Sequence, residues 1–186
     1  MTAAARPGRP RASSREMIAE AASELFLERG YQATSIVDIT RRAGVARSSF
    51  FNYFGAKADV FWSGLDARLG AVEVVLEDPA TSVTDALLGL MAGFAPDALA
   101  LAITNAGAMG LQADLERDRA LRQARLQRAV AARLRRDGDG VLAAEVDAAA
   151  LAAAVLAAVW VWADRAAPSA SLDAVVAEAL VIARRA

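Results

Sequence analysis

Apolar residues recur at three- and four-residue intervals from about residue 14 almost to the end of the sequence, a spacing that predicts helices nearly throughout. Met17, Ile18, Ala21, Ala22, Leu25 and Phe26 form one stripe, with Glu16, Glu20, Glu24 and Glu28 on another, so a first helix runs from Ser13 or Ser14 to Arg29. Gly30 then stops it. Thr34 stands where it can cap a second, short helix carrying Ile36, Val37 and Ile39, which Ala43-Gly44-Val45 breaks. A third helix starts near Ala46, with Phe50 and Phe54 facing inward and Arg47, Ser48, Ser49, Asn52 and Tyr53 facing outward. Helix, glycine turn, helix is the build of a helix-turn-helix, whose second helix enters the DNA major groove. The longer first helix supplies the surface on which the two short ones pack.

Beyond Gly55-Ala56, Lys57 opens a helix through Val60, Phe61, Leu65, Leu69, Val72, Val75 and Leu76, which ends before Pro79. A helix over Thr84 to Phe94 follows, then a weakly marked apolar segment from Pro96 to Gly110, interrupted by Asn105 and Gly107. Leu111 to Arg136 reads as a long charged amphipathic helix. Val141 to Arg165 and Ser171 to Arg185 are the last two, separated by Pro168-Ser169. No run alternates with period two, so the fold class is all-α. The helix from Val141 is apolar nearly all round and rich in alanine. Two such terminal helices either lie in the core or form half of a dimer interface.

Composition narrows the chemistry. The chain of 186 residues has no cysteine and no histidine, which removes disulfides, thiolate nucleophiles, imidazole bases and the commonest zinc ligands. A hydrolytic or redox enzyme is therefore not expected, nor is a cofactor. The 56% hydrophobic content is largely alanine, and the longest apolar run, Val146 to Ala163, has Asp147 near one end and Asp164 and Arg165 at the other. We expect a buried helix there and no membrane partner. The Arg- and Pro-rich start has no apolar run behind it, which suggests a cytoplasmic protein. Residues 1–60 carry nine Lys/Arg against six Asp/Glu, so the net charge of −1 hides a basic front on an acidic body.

Two segments invite specific readings. Arg6 to Arg11, with Pro7 and Pro10, is either an arm that reaches DNA or a solubilising tail. Asp137-Gly138-Asp139-Gly140 alternates acid and glycine as calcium loops do, but its glycine offset is wrong and a plain helix-ending turn fits better.

Residues 15–61 resemble the N-terminal domain of the TetR family of bacterial transcriptional regulators. The resemblance rests on the run from Ala33 to Phe61, which includes Thr34-Ser35-Ile36-Val37-Asp38-Ile39, Ala43-Gly44-Val45 and Lys57, and on the upstream helix from Ile18 to Phe26 with Gly30-Tyr31. It implies a homodimer that binds a double-stranded DNA operator and releases it when a small molecule enters the larger domain. The corresponding division is a flexible basic arm over 1–14, a helix-turn-helix DNA-binding domain over 15–60 and a helical ligand-binding and dimerisation domain over 61–186. By the same resemblance Thr34 caps the second helix and contacts phosphate, Arg47 and Ser48 read bases, Ser49 approaches DNA and Lys57 contacts phosphate. Phe51 stands where tyrosine is usual, so a phosphate hydrogen bond is lost.

The residue types agree with those roles: Arg47 can pair bidentately with guanine, Asn52 can reach base or phosphate, and the hydroxyl of Tyr53 can donate to phosphate. For an effector, Met91, Phe94, Met109, Leu111, Trp160 and Trp162 are candidates as large soft or aromatic side chains, with core packing as the alternative role. The scarcity of isolated charges in the body's apolar helices suggests a small hydrophobic effector. The functional expectation is a ligand-responsive repressor, against the alternative of a helical small-molecule or lipid-binding protein with a vestigial helix-turn-helix.

Overall fold

The computed structural model describes residues 14–94, 97–164 and 171–185; among them are ten α-helices and no strand. They are α1 (Ser14–Arg29), α2 (Ile36–Arg42), α3 (Arg47–Phe51), α4 (Asp59–Val75), α5 (Val83–Leu90), α6 (Ala98–Thr104), α7 (Ala106–Met109), α8 (Gln112–Asp137), α9 (Val141–Ala163) and α10 (Leu172–Ala183). The basic arm, Pro96, Arg165 and the Pro168-Ser169 break lie outside the described residues.

The weakly patterned segment before Gly110 resolves into two short helices. Asn105 ends α6, its side-chain amide donating to Leu101 O, while Thr104 Oγ1 donates to Ala100 O and to Ala163 O of α9. Gly110, at φ +66°, closes α7 in the left-handed region that glycine adopts without strain. The Asp137-Gly138 turn ends α8 in the same manner, Gly138 standing at φ +109°.

The core is continuous from the three-helix front into the body, and α4 carries it across. Near its start, Phe61 packs on Phe26 of α1 with ring centroids 5.1 Å apart; further along, Leu65, Leu69, Val72 and Leu76 are buried in the body. A polar ladder fastens α4 to α8. Trp62 Nε1 donates to Asp118 at 3.1 Å, Arg122 forks onto Asp66 at 2.7 and 2.9 Å, and Arg125 forks onto Glu73 at 2.7 Å. These are bidentate, charge-assisted pairs. At its far end the buried Arg133 donates to Leu76 O, Asp78 O and Pro79 O, and so closes the C-terminus of α4.

Helix α9 is sandwiched between α8 and α10. With 23 residues and a mean hydropathy of 2.0 it is long and apolar enough to cross a membrane, yet half of it is buried inside this fold. Ala144, Ala148, Leu151, Ala152, Val155 and Val159 form its buried side. Its opposite side stays open, with Leu142 77% and Val146 58% exposed, and Ile182 of α10 60% exposed. Between α9 and α10 lies a groove of about 440 Å³ floored by Ala150, Ala153, Ala154, Ala157 and Ala179.

Candidate DNA-binding surface

Five aromatic residues hold the front together from within. Phe50 is fully buried, with Phe54 at 5.4 Å between centroids, and Phe26 contacts both Tyr31 and Phe61 at 5.1 Å. With Phe50 anchored, the rest of α3 must face solvent: Arg47, Ser48 and Phe51 are exposed and Ser49 is half-buried. The N-cap of α3 is Ala46, which supplies no side-chain acceptor, so the first backbone N–H groups of the helix point outward uncapped beside Arg47 and Ser48. Gly44, at φ +67°, makes the turn, and Val45 N donates to Thr40 O at 3.0 Å to fix its angle.

The recognition helix is shorter than the sequence suggests. It ends at Phe51, and Asn52 and Tyr53, expected on its outer face, sit in the turn that follows. Tyr53 N and Phe54 N both donate back to Phe50 O, because burial of Phe54 draws the chain inward there. Both Asn52 and Tyr53 remain exposed, at the foot of α3. The Arg47 guanidinium lies 5.8 Å from the centroid of the Phe51 ring.

Two expected phosphate contacts are placed differently. Thr34 is buried and does not cap α2: its hydroxyl donates to Gly30 O at 2.9 Å and Leu25 O at 3.3 Å, closing the end of α1. The cap is Ser35. Asp38 N donates to Ser35 Oγ and Ser35 N donates to the Asp38 carboxylate, both at 3.1 Å, which makes a reciprocal capping box. The Ser35 hydrogen bonds hold the Asp38 carboxyl below its ordinary value. The signal was present as Ser35-x-x-Asp38 enclosing the apolar pair Ile36-Val37.

Lys57 likewise turns inward. It precedes α4 rather than opening it, and its ammonium donates to Tyr31 O at 2.6 Å and Thr34 O at 2.9 Å, over the Tyr31 ring at 3.9 Å. Two of its three donors are thus spent on the turn between α1 and α2. Burial pushes its pKa below the usual lysine range. The backbone N–H groups of Gly55 and Ala56 are occupied by the Asp59 carboxylate, so no free helix start assists this lysine.

Two further arginines of the front are engaged by acids. Arg42 spans Glu28 at 2.7 Å and Glu24 at 3.0 Å, pinning α2 on α1; the hydrogen bonds to these carboxylates raise the arginine and hold Glu28 down. Arg41 pairs with Asp38. Arg47 therefore stands out as an exposed guanidinium on α3 with an aromatic side chain, not a carboxylate, beside it.

The effector candidates do not converge. Met91, Met109, Leu111 and Trp162 are core residues at 4% exposure or less. Phe94 meets Trp162 edge-on at 5.9 Å and carries the Arg68 guanidinium over its face. Trp160 is half-buried, 5.9 Å from Trp62, and lines a separate groove of about 380 Å³ with Ile103, Ala106, Leu115 and Val161.

Residues 18–62 match the family model described as bacterial regulatory proteins, tetR family. Among relatives, the repressor KstR2 of Mycolicibacterium smegmatis is 36% identical over 93 residues, 47% of this chain and 44% of that protein. The repressor BdcR of Escherichia coli is 35% identical over 72 residues, 39% and 36% of the two chains. The chain thus spans less than half the length of either relative. Over nearly the whole fold it is similar to NalD of Pseudomonas aeruginosa, the secondary repressor of a multidrug efflux pump, with a TM-score of 0.58 at 23% identity, covering 92% and 94% of the two chains. It is also similar to FadR of Thermus thermophilus, a transcriptional repressor solved with lauroyl-CoA, with a TM-score of 0.53 at 26% identity, covering 91% and 93%. Residues 18–62 thus carry the helix-turn-helix domain of the tetR family of bacterial regulatory proteins.

Proposed function

We propose that this protein is a ligand-responsive transcriptional repressor of the cytoplasm that binds a palindromic DNA operator as a homodimer and leaves it when a small hydrophobic effector enters the body. The observation that carries the reading is α3: Phe50 fixes it in the core while Arg47, Ser48 and its uncapped N–H groups face outward. Arg47 reads a base edge, Ser48 and Ser49 let the helix sit deep, and Asn52 and Tyr53 meet the backbone at its foot. Lys57 and Thr34 act behind this surface, on the turn that supports it. The helix-turn-helix front over 15–60 reads DNA, and the body over 61–186 takes ligand and twin.

The open side of α9 supports pairing. Leu142, Val146, Val161 and Ile182, flanking an alanine groove, form an apolar face that a second copy of the same two helices would cover. FadR of the same fold binds lauroyl-CoA, which supports a ligand in the body. Gel shifts on genomic fragments and scrambled duplexes test the proposal. Arg47→Ala weakens specific binding by about 1–3 kcal/mol and narrows the gap between specific and scrambled DNA. A wild-type affinity that does not fall steeply with salt refutes DNA binding and leaves a ligand-binding protein instead.

A further inference from the structure

We infer that the groove at Trp160 is built for an aromatic organic cation, and that Arg119, stacked on the same indole beside the groove, competes with that ligand for the ring. This names the effector class of the body and rests on the ligand-responsive reading. The groove lies among α6, α7, α8 and α9, and its volume of about 380 Å³ suits a small molecule. Ile103, Leu115, Trp160 and Val161 make its apolar wall, and its charged lining groups are two carboxylates, Glu116 and Asp164. Neither forms an ion pair among the described residues.

The Arg119 guanidinium sits 4.5 Å from the centroid of the Trp160 indole. No carboxylate among the described residues reaches salt-bridge distance of it, and burial lowers its pKa, with Glu116 acting on it only through space. A planar cation is therefore already held on the indole by the ring's electrostatics and not by an acid. A ligand ammonium stacked there would displace Arg119 into solvent and gain the two carboxylates that Arg119 does not pair with. A polyanion would meet those same carboxylates, so a ligand of the lauroyl-CoA type is disfavoured in this groove. The site also adjoins the front. The elbow between α7 and α8 includes Met109, whose carbonyl accepts from Tyr31 N at 2.8 Å, and Asp114, which accepts from Gln32 at 3.0 Å.

The test uses the full chain, without DNA, with benzyltriethylammonium as cation probe and benzenesulfonate as its anionic counterpart, by calorimetry and tryptophan fluorescence. The cation binds wild type and the sulfonate does not. Arg119→Ala, which removes the internal competitor, binds the cation about fivefold more tightly. Glu116→Gln binds it about threefold more weakly. No cation binding, binding of the sulfonate instead, or weaker cation binding by Arg119→Ala overturns the inference. Gel shifts run separately, so a failed DNA reading is distinguished from a failed ligand assignment.

Discussion

Arg133 closes the end of α4, and its removal tests how much of the body's stability depends on one buried cation. The side chain is 5% exposed, and its head donates to both oxygens of Asp137 at 2.9 Å, to Asp78 O at 2.8 Å, to Leu76 O at 3.2 Å and to Pro79 O at 3.3 Å. Arg133→Met keeps the apolar stem and deletes the head. Leu76 O retains a second donor, Arg136 at 3.0 Å, and Asp137 is 42% exposed and can turn to water. What remains uncompensated is the carbonyl of Asp78 and, more weakly, that of Pro79. A hydrogen bond to a charged group contributes about 1.5–3 kcal/mol, so one full and one long bond amount to roughly 3 kcal/mol. That lies at the low end of the cost of breaking a buried ionic cluster. For a chain of this size the loss lowers Tm by roughly 6–12 °C. Urea unfolding followed by circular dichroism at fixed protein concentration measures it, with an unchanged m-value expected. A loss below about 1 kcal/mol would mean that the carbonyls are satisfied without Arg133, and the account of this junction would be wrong.

Three further predictions follow from the placement of single residues. Lys57→Met lowers stability by about 1–3 kcal/mol, because Tyr31 O and Thr34 O lose a charged donor, and leaves the salt slope of DNA binding unchanged; a slope reduced by about 1 would restore Lys57 as a phosphate contact. Tyr31 is pushed up to about 12, first by burial and then by the charges of Asp114 and Asp118, so its contribution is fully present below pH 10 and lost as pH rises from about 10 towards 12. Chemical denaturation across that range detects the loss, and Tyr31→Phe removes this component of it. Sedimentation at micromolar concentration gives a dimer for the wild type and a monomer for Val146→Asp with Ile182→Asp, while a wild-type monomer would argue against pairing through α9 and α10.

Periodicity was sufficient for the long helices because a buried stripe must repeat with the helix turn, and glycine marked the turns at 30, 44, 110 and 138, where φ is positive. It could not assign neighbouring hydroxyls. Thr34 and Ser35 both suit a cap, and only the position of the carbonyls at the end of α1 decides that Thr34 bonds backward and Ser35 forward. The same holds for Lys57, whose inward turn depends on carbonyls more than twenty residues away. Residue type could not separate ligand-lining side chains from core filling either. Met91 and Met109 are soft and large, and so is core filling.

The groove at Trp160 is assembled from four helices, and its carboxylates read in sequence as ordinary solvated positions of a charged helix and a helix end. In α9 the alanines conceal two different surfaces, a dry side against α8 and α10 and an open side with Leu142 and Val146, because a residue that small leaves no stripe. This division also bears on how the parts act together. The polar ladder from Trp62 to Glu73 and the Arg133 closure hold α4 on α8, and α8 packs against α9. A ligand that moves Trp160 on α9 therefore acts on Trp62 of α4 across a 5.9 Å ring contact, and on the Met109 elbow that holds Tyr31. Either route ends at the turn that Thr34 and Lys57 close. Under the proposed DNA-binding role of α3, Thr34 and Lys57 act through the turn they close, and their substitution is expected to change how ligand and operator compete before it changes which operator is read.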